Sequence, residues 1–135
     1  MLTQKTRYSM LAMTKLAKEY GKGPLIINEI AESERIPKRF LESILLELKK
    51  NGYLGSKLGK HGGYYLMKRP EEISLLEIVM ISEGGVALLP CISEKYYRTC
   101  EHCKDEVTCT IRHTFKDIRE YTWKRLENTS LASLI

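Results

Sequence analysis

The sequence predicts a mainly α-helical fold with one small β-hairpin. Apolar residues recur at helical spacing over the first half of the chain. The period then changes to that of strands around a glycine-rich turn, and a long helical pattern follows a stretch that holds all four cysteines. With 135 residues and 43% hydrophobic content, the chain can form one domain with a real core, with or without an extended arm.

Three helices are predicted in the first fifty residues. Residues 6–20 have helical apolar spacing, and a Gly-Lys-Gly-Pro run ends that helix. Asn28 is the predicted N-cap of a short second helix over residues 29–35. Pro37 opens a third helix that ends near Asn51. The predicted apolar face of this third helix consists of Phe40, Leu41, Ile44, Leu45 and Leu48.

The segments 53–58 and 64–68 are predicted to be two strands of a hairpin. Ser74 and Glu77 have the spacing of a capping box at the start of a fourth helix, which runs to about Ser82. A long fifth helix is predicted over residues 108–126. Few other elements remain to cover its apolar strip, so we expect it to pack on a second subunit. That strip consists of Ile111, Phe115, Ile118, Thr122 and Leu126.

Three short helices followed by a hairpin are the order of a winged helix-turn-helix, in which the third helix enters the major groove of DNA and the hairpin is the wing. Four side chains opposite the apolar face of the third helix are candidates for contacts to bases or phosphates: Lys38, Arg39, Glu42 and Ser43. In the wing, the candidates are Lys57, Lys60, His61 and Gly62, the glycine because it lets the backbone approach a surface.

The charge distribution favours the same function. Residues 1–70 hold 14 Lys and Arg against 6 Asp and Glu, a net charge of +8, whereas residues 71–135 have a net charge of −3. A basic half of this kind suits a polyanionic partner. The sequence shows no signal peptide and no run long enough to span a membrane, so we expect a cytoplasmic protein. No set of catalytic residues can be recognised by spacing, which argues against an enzyme.

Two pieces of the sequence, taken together, are specific. The third helix begins Ile36-Pro37-Lys38-Arg39-Phe40-Leu41-Glu42, and the hairpin turn reads Gly59-Lys60-His61-Gly62-Gly63-Tyr64. In these pieces the chain resembles the IscR/NsrR/CymR family of bacterial regulators, and the resemblance extends over nearly its whole length. It implies a homodimer whose two copies are joined by the long helix. The dimer is expected to recognise a palindromic operator in double-stranded DNA, usually as a repressor. By this match, Lys38, Arg39, Glu42 and Ser43 belong to the recognition helix.

The cysteines are crowded within nineteen residues, which in a cytoplasmic protein favours metal or redox chemistry over structural disulfides. The candidate ligands are Cys91, Cys100, Cys103 and Cys109, with His113 as the candidate that is not a cysteine. Thiolates suit zinc, copper(I) and iron-sulfur clusters, and spacing does not choose among them. A cluster-free thiol switch is a further alternative, as is a winged-helix module that binds another protein.

The family resemblance implies an iron-sulfur cluster on three cysteines of this loop, with 2Fe-2S expected rather than 4Fe-4S. The usual spacing there is about Cys-x5-Cys-x5-Cys. Cys91 matches the first position, and Cys103 and Cys109 match the last two. The departure is Cys100, which forms a Cys-x-x-Cys pair with Cys103. Either residue can be the middle ligand, or all four cysteines bind without a histidine or carboxylate. The expected organisation is a winged helix-turn-helix over residues 1–82, a cysteine-rich sensor loop over 83–108, and a dimerisation helix with the C-terminal segment over 109–135.

Overall fold

The computed structural model describes residues 2–135, which form five helices and one two-stranded antiparallel sheet. This confirms the predicted fold class. The elements are α1 (Gln4–Lys18), α2 (Ile27–Glu34), α3 (Lys38–Lys50), β1 (Leu54–Lys57), β2 (Gly63–Leu66), α4 (Leu75–Glu83) and α5 (Thr110–Glu127). Short 3-10 helices lie at Pro70–Glu72, Pro90–Ile92 and Leu131–Leu134.

The core lies between α1, α2, α3, α4 and the hairpin. The inner face of α3 is buried as predicted at Leu41, Ile44, Leu45 and Leu48, but the prediction for Phe40 is wrong. Its side chain is 56% exposed and contacts the edge of the core through Tyr8, with 6.2 Å between the ring centroids. Consecutive residues on a helix are rotated by about 100°. Phe40, one residue before Leu41, is therefore turned away from the buried stripe.

The start of α2 also differs from the prediction. The helix begins at Ile27, and the N-cap position is Ile26, which has no capping side chain, so Asn28 is not the cap. The reason is a backbone pairing just before the helix: Leu25 and Tyr64 exchange hydrogen bonds of 2.9 and 2.8 Å. This bridge keeps the chain extended up to Ile26, and the helix begins as soon as the pairing ends.

The hairpin pairs β1 with β2 from Leu54 opposite Leu66 to Lys57 opposite Gly63. Gly63 has φ +143°, and a Cβ atom there would lie 2.2 Å from the carbonyl oxygen of Leu25. A glycine is therefore required where the segment before α2 crosses the hairpin. This contact fixes the wing against the rest of the domain.

The predicted capping box of α4 is confirmed. Ser74 Oγ accepts from the Glu77 amide at 3.3 Å, and Glu77 Oε2 accepts from the Ser74 amide at 2.7 Å. At the other end of α4, Glu83 Oε1 accepts hydrogen bonds from the Thr3 amide and from the hydroxyl of the buried Thr6, which attaches α4 to the start of α1.

The C-terminal segment returns to the core. The Leu75 amide donates to the Thr129 carbonyl at 2.7 Å, and the Leu131 amide donates to the Ile73 carbonyl at 2.9 Å. Leu131 is fully buried among the core residues. The end of the chain, which follows α5 in the sequence, therefore packs on the winged-helix part.

The long helix α5 has no buried residue. Its predicted apolar strip is divided: Phe115, Thr122 and Leu126 are half-buried, whereas Ile111 is 64% and Ile118 is 42% exposed. Ile111, Thr114, Ile118 and Tyr121 repeat every three or four residues along the outward side, which is the spacing of a helix-helix seam. Across residues 2–135, no helix combines the length and apolar character needed to cross a bilayer.

Candidate DNA-binding surface and cysteine loop

The predicted recognition residues lie together on the exposed side of α3. Lys38, Arg39, Glu42 and Ser43 are all exposed, and among residues 2–135 neither Lys38 nor Arg39 has an ion-pair partner. The Ser43 hydroxyl donates to the Phe40 carbonyl at 3.0 Å within the same helix. The N-terminal end of α3 thus presents two unpaired cations beside one carboxylate, as the sequence predicts for a surface that reads DNA.

Three of the four predicted wing residues are exposed at the hairpin turn: Lys57, Lys60 and His61. Gly62 is buried instead, and its amide donates to the Gly59 carbonyl at 3.0 Å. A Cβ atom on Gly62 would lie 2.1 Å from the Lys57 carbonyl oxygen. The hairpin's own turn therefore accounts for this glycine, and its role in approaching DNA stays a prediction. Lys49 Nζ donates to Ser56 Oγ at 2.6 Å and connects α3 to the wing.

Two residues on this surface were not singled out by the sequence. Leu58 is 94% exposed at the start of the wing turn, and Arg35 has φ +54° in the turn between α2 and α3. The short segment between these helices contains no glycine, and this could have indicated that an ordinary residue must adopt the left-handed conformation. The buried Ile36 follows directly, and its amide donates to the Ala31 carbonyl at 3.0 Å.

All four cysteines are free thiols. Cys91 lies in the 3-10 helix Pro90–Ile92, which packs on α5. Cys109 is the N-cap of α5, and its Sγ accepts from the Arg112 amide at 3.4 Å. Cys100 and Cys103 are joined by a turn in which the Cys103 amide donates to the Cys100 carbonyl at 3.1 Å.

The pKa of one thiol is raised by its surroundings. Burial raises the pKa of the Cys103 thiol, and the neighbouring Cys109, Glu106 and Cys100 side chains raise it further. Cys91 is not among the groups that shift this pKa. It lines a cavity of about 230 Å³ together with basic side chains of α5. The basic side chains around Cys91 distinguish its surroundings from those of Cys103, whose neighbours are thiols and a carboxylate.

His113, the predicted ligand that is not a cysteine, is engaged in a local contact. Its Nε2 atom lies 2.6 Å from the Val107 carbonyl oxygen, and because a carbonyl oxygen only accepts, Nε2 carries the proton. Nδ1 is then the ring nitrogen that remains for a ligand. Within the described residues 2–135, no three His, Cys, Asp or Glu side chains are placed together as metal ligands. The donor chemistry of four free thiols in one loop nevertheless fits a thiolate-bound group.

The family model described as "Iron-dependent Transcriptional regulator" (Rrf2) matches residues 2–135. The chain belongs to the Rrf2 family. This confirms the resemblance on which the sequence analysis relied.

Among its relatives, a helix-turn-helix regulator of Rhodobacter capsulatus named rrf2-like is 43% identical over 121 residues, which are 87% of this chain and 81% of that protein. The regulator IscR of Serratia proteamaculans is 30% identical over 134 residues, 99% of this chain and 78% of that protein. The structure of CymR, the global cysteine regulator of Bacillus subtilis, has a TM-score of 0.82 at 26% identity and covers 99% of this chain and 95% of that chain.

Rrf2-family proteins are transcriptional regulators and not enzymes, so this chain is a regulator of transcription. The winged helix-turn-helix architecture predicted from the sequence is the one observed in the CymR structure. Membership of the Rrf2 family assigns the function of the whole chain.

Proposed function

We propose that this Rrf2-family regulator acts in the cytoplasm as a homodimer that binds a palindromic operator and represses transcription. The observation that carries the proposal is the exposed, unpaired Lys38 and Arg39 pair at the start of α3, next to the exposed basic wing. The proposed divisions are residues 1–82 for DNA binding, 83–108 for sensing and 109–135 for dimerisation.

In the proposed complex, the N-terminal end of α3 enters the major groove. Lys38 and Arg39 contact guanine or phosphate there, and Glu42 accepts from cytosine N4. Lys57, Lys60 and His61 of the wing contact phosphates or the minor groove. Because these contacts are largely ionic, binding should weaken steeply as the salt concentration rises.

The proposed dimer forms through α5. The outward residues Ile111, Thr114, Ile118 and Tyr121 would face the same residues of a second copy, since a two-fold axis brings identical surfaces together. A dimer places two α3 helices on one side of the DNA, and a palindromic operator matches that symmetry.

For the cysteine loop, we propose an iron-sulfur cluster held by Cys91, Cys103 and Cys109, with Cys100 as the alternative middle ligand and His113 as a further candidate. A 2Fe-2S cluster is the form we expect. When bound, such a cluster supplies a redox-active centre that is sensitive to oxidants and to iron supply. Cys109 caps α5, so a change at its sulfur acts directly on the start of the proposed dimerisation helix.

A cluster-free thiol switch is the second candidate, and the turn that joins Cys100 and Cys103 favours it. Two cysteines in a Cys-x-x-Cys turn can form a disulfide when an oxidant accepts two electrons and the thiol protons are released. A zinc site on the same thiols is the remaining alternative.

The DNA-binding proposal is tested by replacing Lys38 and Arg39 together with alanine and measuring operator binding by titration at fixed salt. We expect affinity to fall at least about 10-fold, because each good base contact contributes about 1–3 kcal/mol of discrimination. The control removes two exposed lysines outside this surface, Lys18→Ala with Lys124→Ala, and has the same net charge. Equal losses in both variants would show that α3 does not recognise DNA.

The cysteine proposal is tested on protein purified without oxygen. Its absorption spectrum is recorded, and iron, zinc and acid-labile sulfide are assayed on the same sample. Coloured protein with iron and sulfide supports the cluster, and Cys100→Ala compared with Cys103→Ala then identifies the middle ligand. Colourless protein with zinc supports the zinc site, and metal-free protein that forms a Cys100–Cys103 disulfide on oxidation supports the thiol switch.

A further inference from the structure

A cavity of about 230 Å³ lies between the 3-10 helix Pro90–Ile92 and the first half of α5. Its basic lining comes from one face of α5, because residues four and three positions apart lie one above the other on a helix. The lining residues are Cys91, Ile92, Ser93, Tyr97, Arg112, Lys116 and Arg119. A thiol and three cations therefore share one small cavity.

Glu106, Glu94 and Glu120 offset much of the charge of Arg112 and Arg119, but both guanidinium groups keep hydrogen-bonding capacity. Arg112 faces Glu106 only at 3.9 Å, and the Nε atoms of Arg112 and Arg119 are buried without a hydrogen-bond partner. Lys116 makes no ion pair with any of residues 2–135.

Arg119 is the most constrained of the three. Its Nη1 atom donates to the Ile92 carbonyl at 2.8 Å and faces Glu94 at 3.9 Å, while Nη2 pairs with Glu120. These contacts hold the guanidinium against the 3-10 helix that contains Cys91. The cation is thus held in place at the cavity that Cys91 also lines.

The hydroxyl groups of the cavity have different roles. The Tyr97 hydroxyl donates to Glu106, which also faces Arg112 and so offsets part of the positive charge. Ser93 Oγ accepts from the Tyr96 amide at 2.9 Å and keeps its own proton for donation to a ligand. The cavity therefore offers cations and one hydroxyl donor to an anion that lies next to Cys91.

We propose that Cys91 is a site of mixed-disulfide formation with small anionic disulfides, whose carboxylates are held by Arg112, Lys116 and Arg119. The Cys91 sulfur attacks one sulfur of the reagent, its S–S bond breaks, and a new S–S bond forms to Cys91. The second half leaves as a thiolate, and the Cys91 proton goes to solvent. Oxidation of Cys91 is thereby balanced by reduction of the leaving half.

The cavity's size and charge argue for this class of ligand. A volume of about 230 Å³ fits one small organic half-molecule rather than a segment of folded protein. A carboxylate-bearing reagent is favoured over a neutral one, because a carboxylate can pair with Lys116 and accept hydrogen bonds from the unbonded Nε atoms of Arg112 and Arg119. The proposal needs neither DNA binding nor a cluster, although a cluster on Cys91 would protect the sulfur from the reagent.

The test compares two single-thiol proteins, one retaining Cys91 and one retaining the exposed Cys100, each with its other three cysteines changed to serine. Each is treated with dithiobis(nitrobenzoate), which carries two carboxylates, and with neutral dithiodipyridine. We expect the ratio of the anionic to the neutral rate constant to be about 10-fold higher at Cys91 than at Cys100, and to fall as salt is added. Equal ratios at the two thiols would overturn the proposal.

Charge variants in the Cys91 protein locate the cause. Lys116→Gln should lower the ratio severalfold, whereas Lys124→Gln, the same charge change at an exposed position farther along α5, should leave it unchanged. Lys116→Arg should restore it. A ratio that Lys116→Gln does not alter contradicts the role of the cavity. Reaction of the wild-type chain with glutathione disulfide, followed by peptide mass spectrometry, should place the adduct on Cys91 first.

The outcome is independent of the proposed function. The rates are measured on metal-free, DNA-free protein, so failure of operator binding or of cluster assembly leaves the test valid. Conversely, if the anionic preference is absent while cluster-loaded protein is found, only the present inference fails. Protection of Cys91 in cluster-loaded protein would additionally show that both chemistries use the same sulfur.

Discussion

The winged-helix part and the cysteine-α5 part of this chain are built in opposite ways. Of the eighteen buried hydrophobic residues in the described chain, all but Ile92 and Leu131 precede Gly84. In α5, eighteen residues long, none is buried. The first part is stabilised by its own core, whereas the second presents apolar and sulfur-containing groups to whatever binds them. The difference predicts that the second part depends on a partner for its stability and the first does not.

The largest difference between the two parts is expected for a substitution in the core. Leu45→Ala should lower the free energy of unfolding by about 2–5 kcal/mol, because Leu45 is fully buried and its truncation leaves a cavity. Chemical denaturation of the metal-free protein measures it. The matched change on α5, Leu126→Ala, should cost clearly less, since Leu126 is only half-buried. Comparable losses of unfolding free energy at both positions would mean that α5 unfolds together with the core.

The outward face of α5 gives the next effect. Ile118→Glu should weaken dimerisation by about 100-fold, because both copies lose an apolar side chain that the proposed interface covers and gain a charge. Sedimentation equilibrium over a range of concentrations measures the dissociation constant. The control, Lys116→Glu, introduces the same side chain on the opposite side of the helix, two residues from both Thr114 and Ile118. A dimer that tolerates Ile118→Glu but not the control would place the interface on another face.

Which features could be predicted from the sequence depends on how far apart the interacting residues lie in the chain. The capping box at Ser74 and Glu77 was predicted correctly because it depends on residues three positions apart. The buried positions of α3 followed from helical spacing for the same reason. Asn28 was wrongly predicted to cap α2, because the pairing of Leu25 with Tyr64 involves segments far apart in the chain.

The candidate site follows the same pattern. The exposure of Lys38 and Arg39 could be predicted from their place opposite the apolar face of α3. The separate surroundings of Cys91 could not, because they depend on basic residues of α5 that lie some twenty residues later in the sequence. Spacing between cysteines carries no information about such contacts.

A smaller effect concerns the contact between β1 and α4. The Tyr53 hydroxyl donates to Glu77 at 2.9 Å, and burial, together with this bond and the charge of Glu77, raises the pKa of Tyr53 to about 12. A raised pKa adds stability that is complete below pH 10 and is lost as the pH rises towards 12. Tyr53→Phe should therefore flatten the alkaline decline in stability, measured by denaturation from pH 8 to 11.

Tyr121→Phe serves as the control for this effect, because Tyr121 is 72% exposed on α5. Its removal should leave the alkaline decline unchanged in monomeric protein. If both variants decline like the wild type, the bond between Tyr53 and Glu77 contributes nothing to stability.

The smallest effect is expected at the turn between α2 and α3. Arg35→Gly should stabilise the protein by about 1 kcal/mol, because a left-handed conformation is strained for arginine and free of strain for glycine. Thermal unfolding measures the gain. Glu34→Gly, one residue earlier and within α2, should destabilise by a similar amount. Loss of stability in the Arg35 variant would mean that its side chain makes a contact worth more than the strain.

The return of the chain at Thr129 and Leu131 gives the molecule the topology of a domain with an insertion. The polypeptide leaves the winged helix at Gly84, beyond one end of α4, and re-enters it beside Leu75, at the other end of the same helix. The cysteine loop and α5 therefore form an insertion that joins the winged helix at the two ends of α4. Any strain in this insertion would act on α4 at both of its ends. Exchanging this insertion between relatives would transfer the proposed sensor loop without creating a new chain terminus.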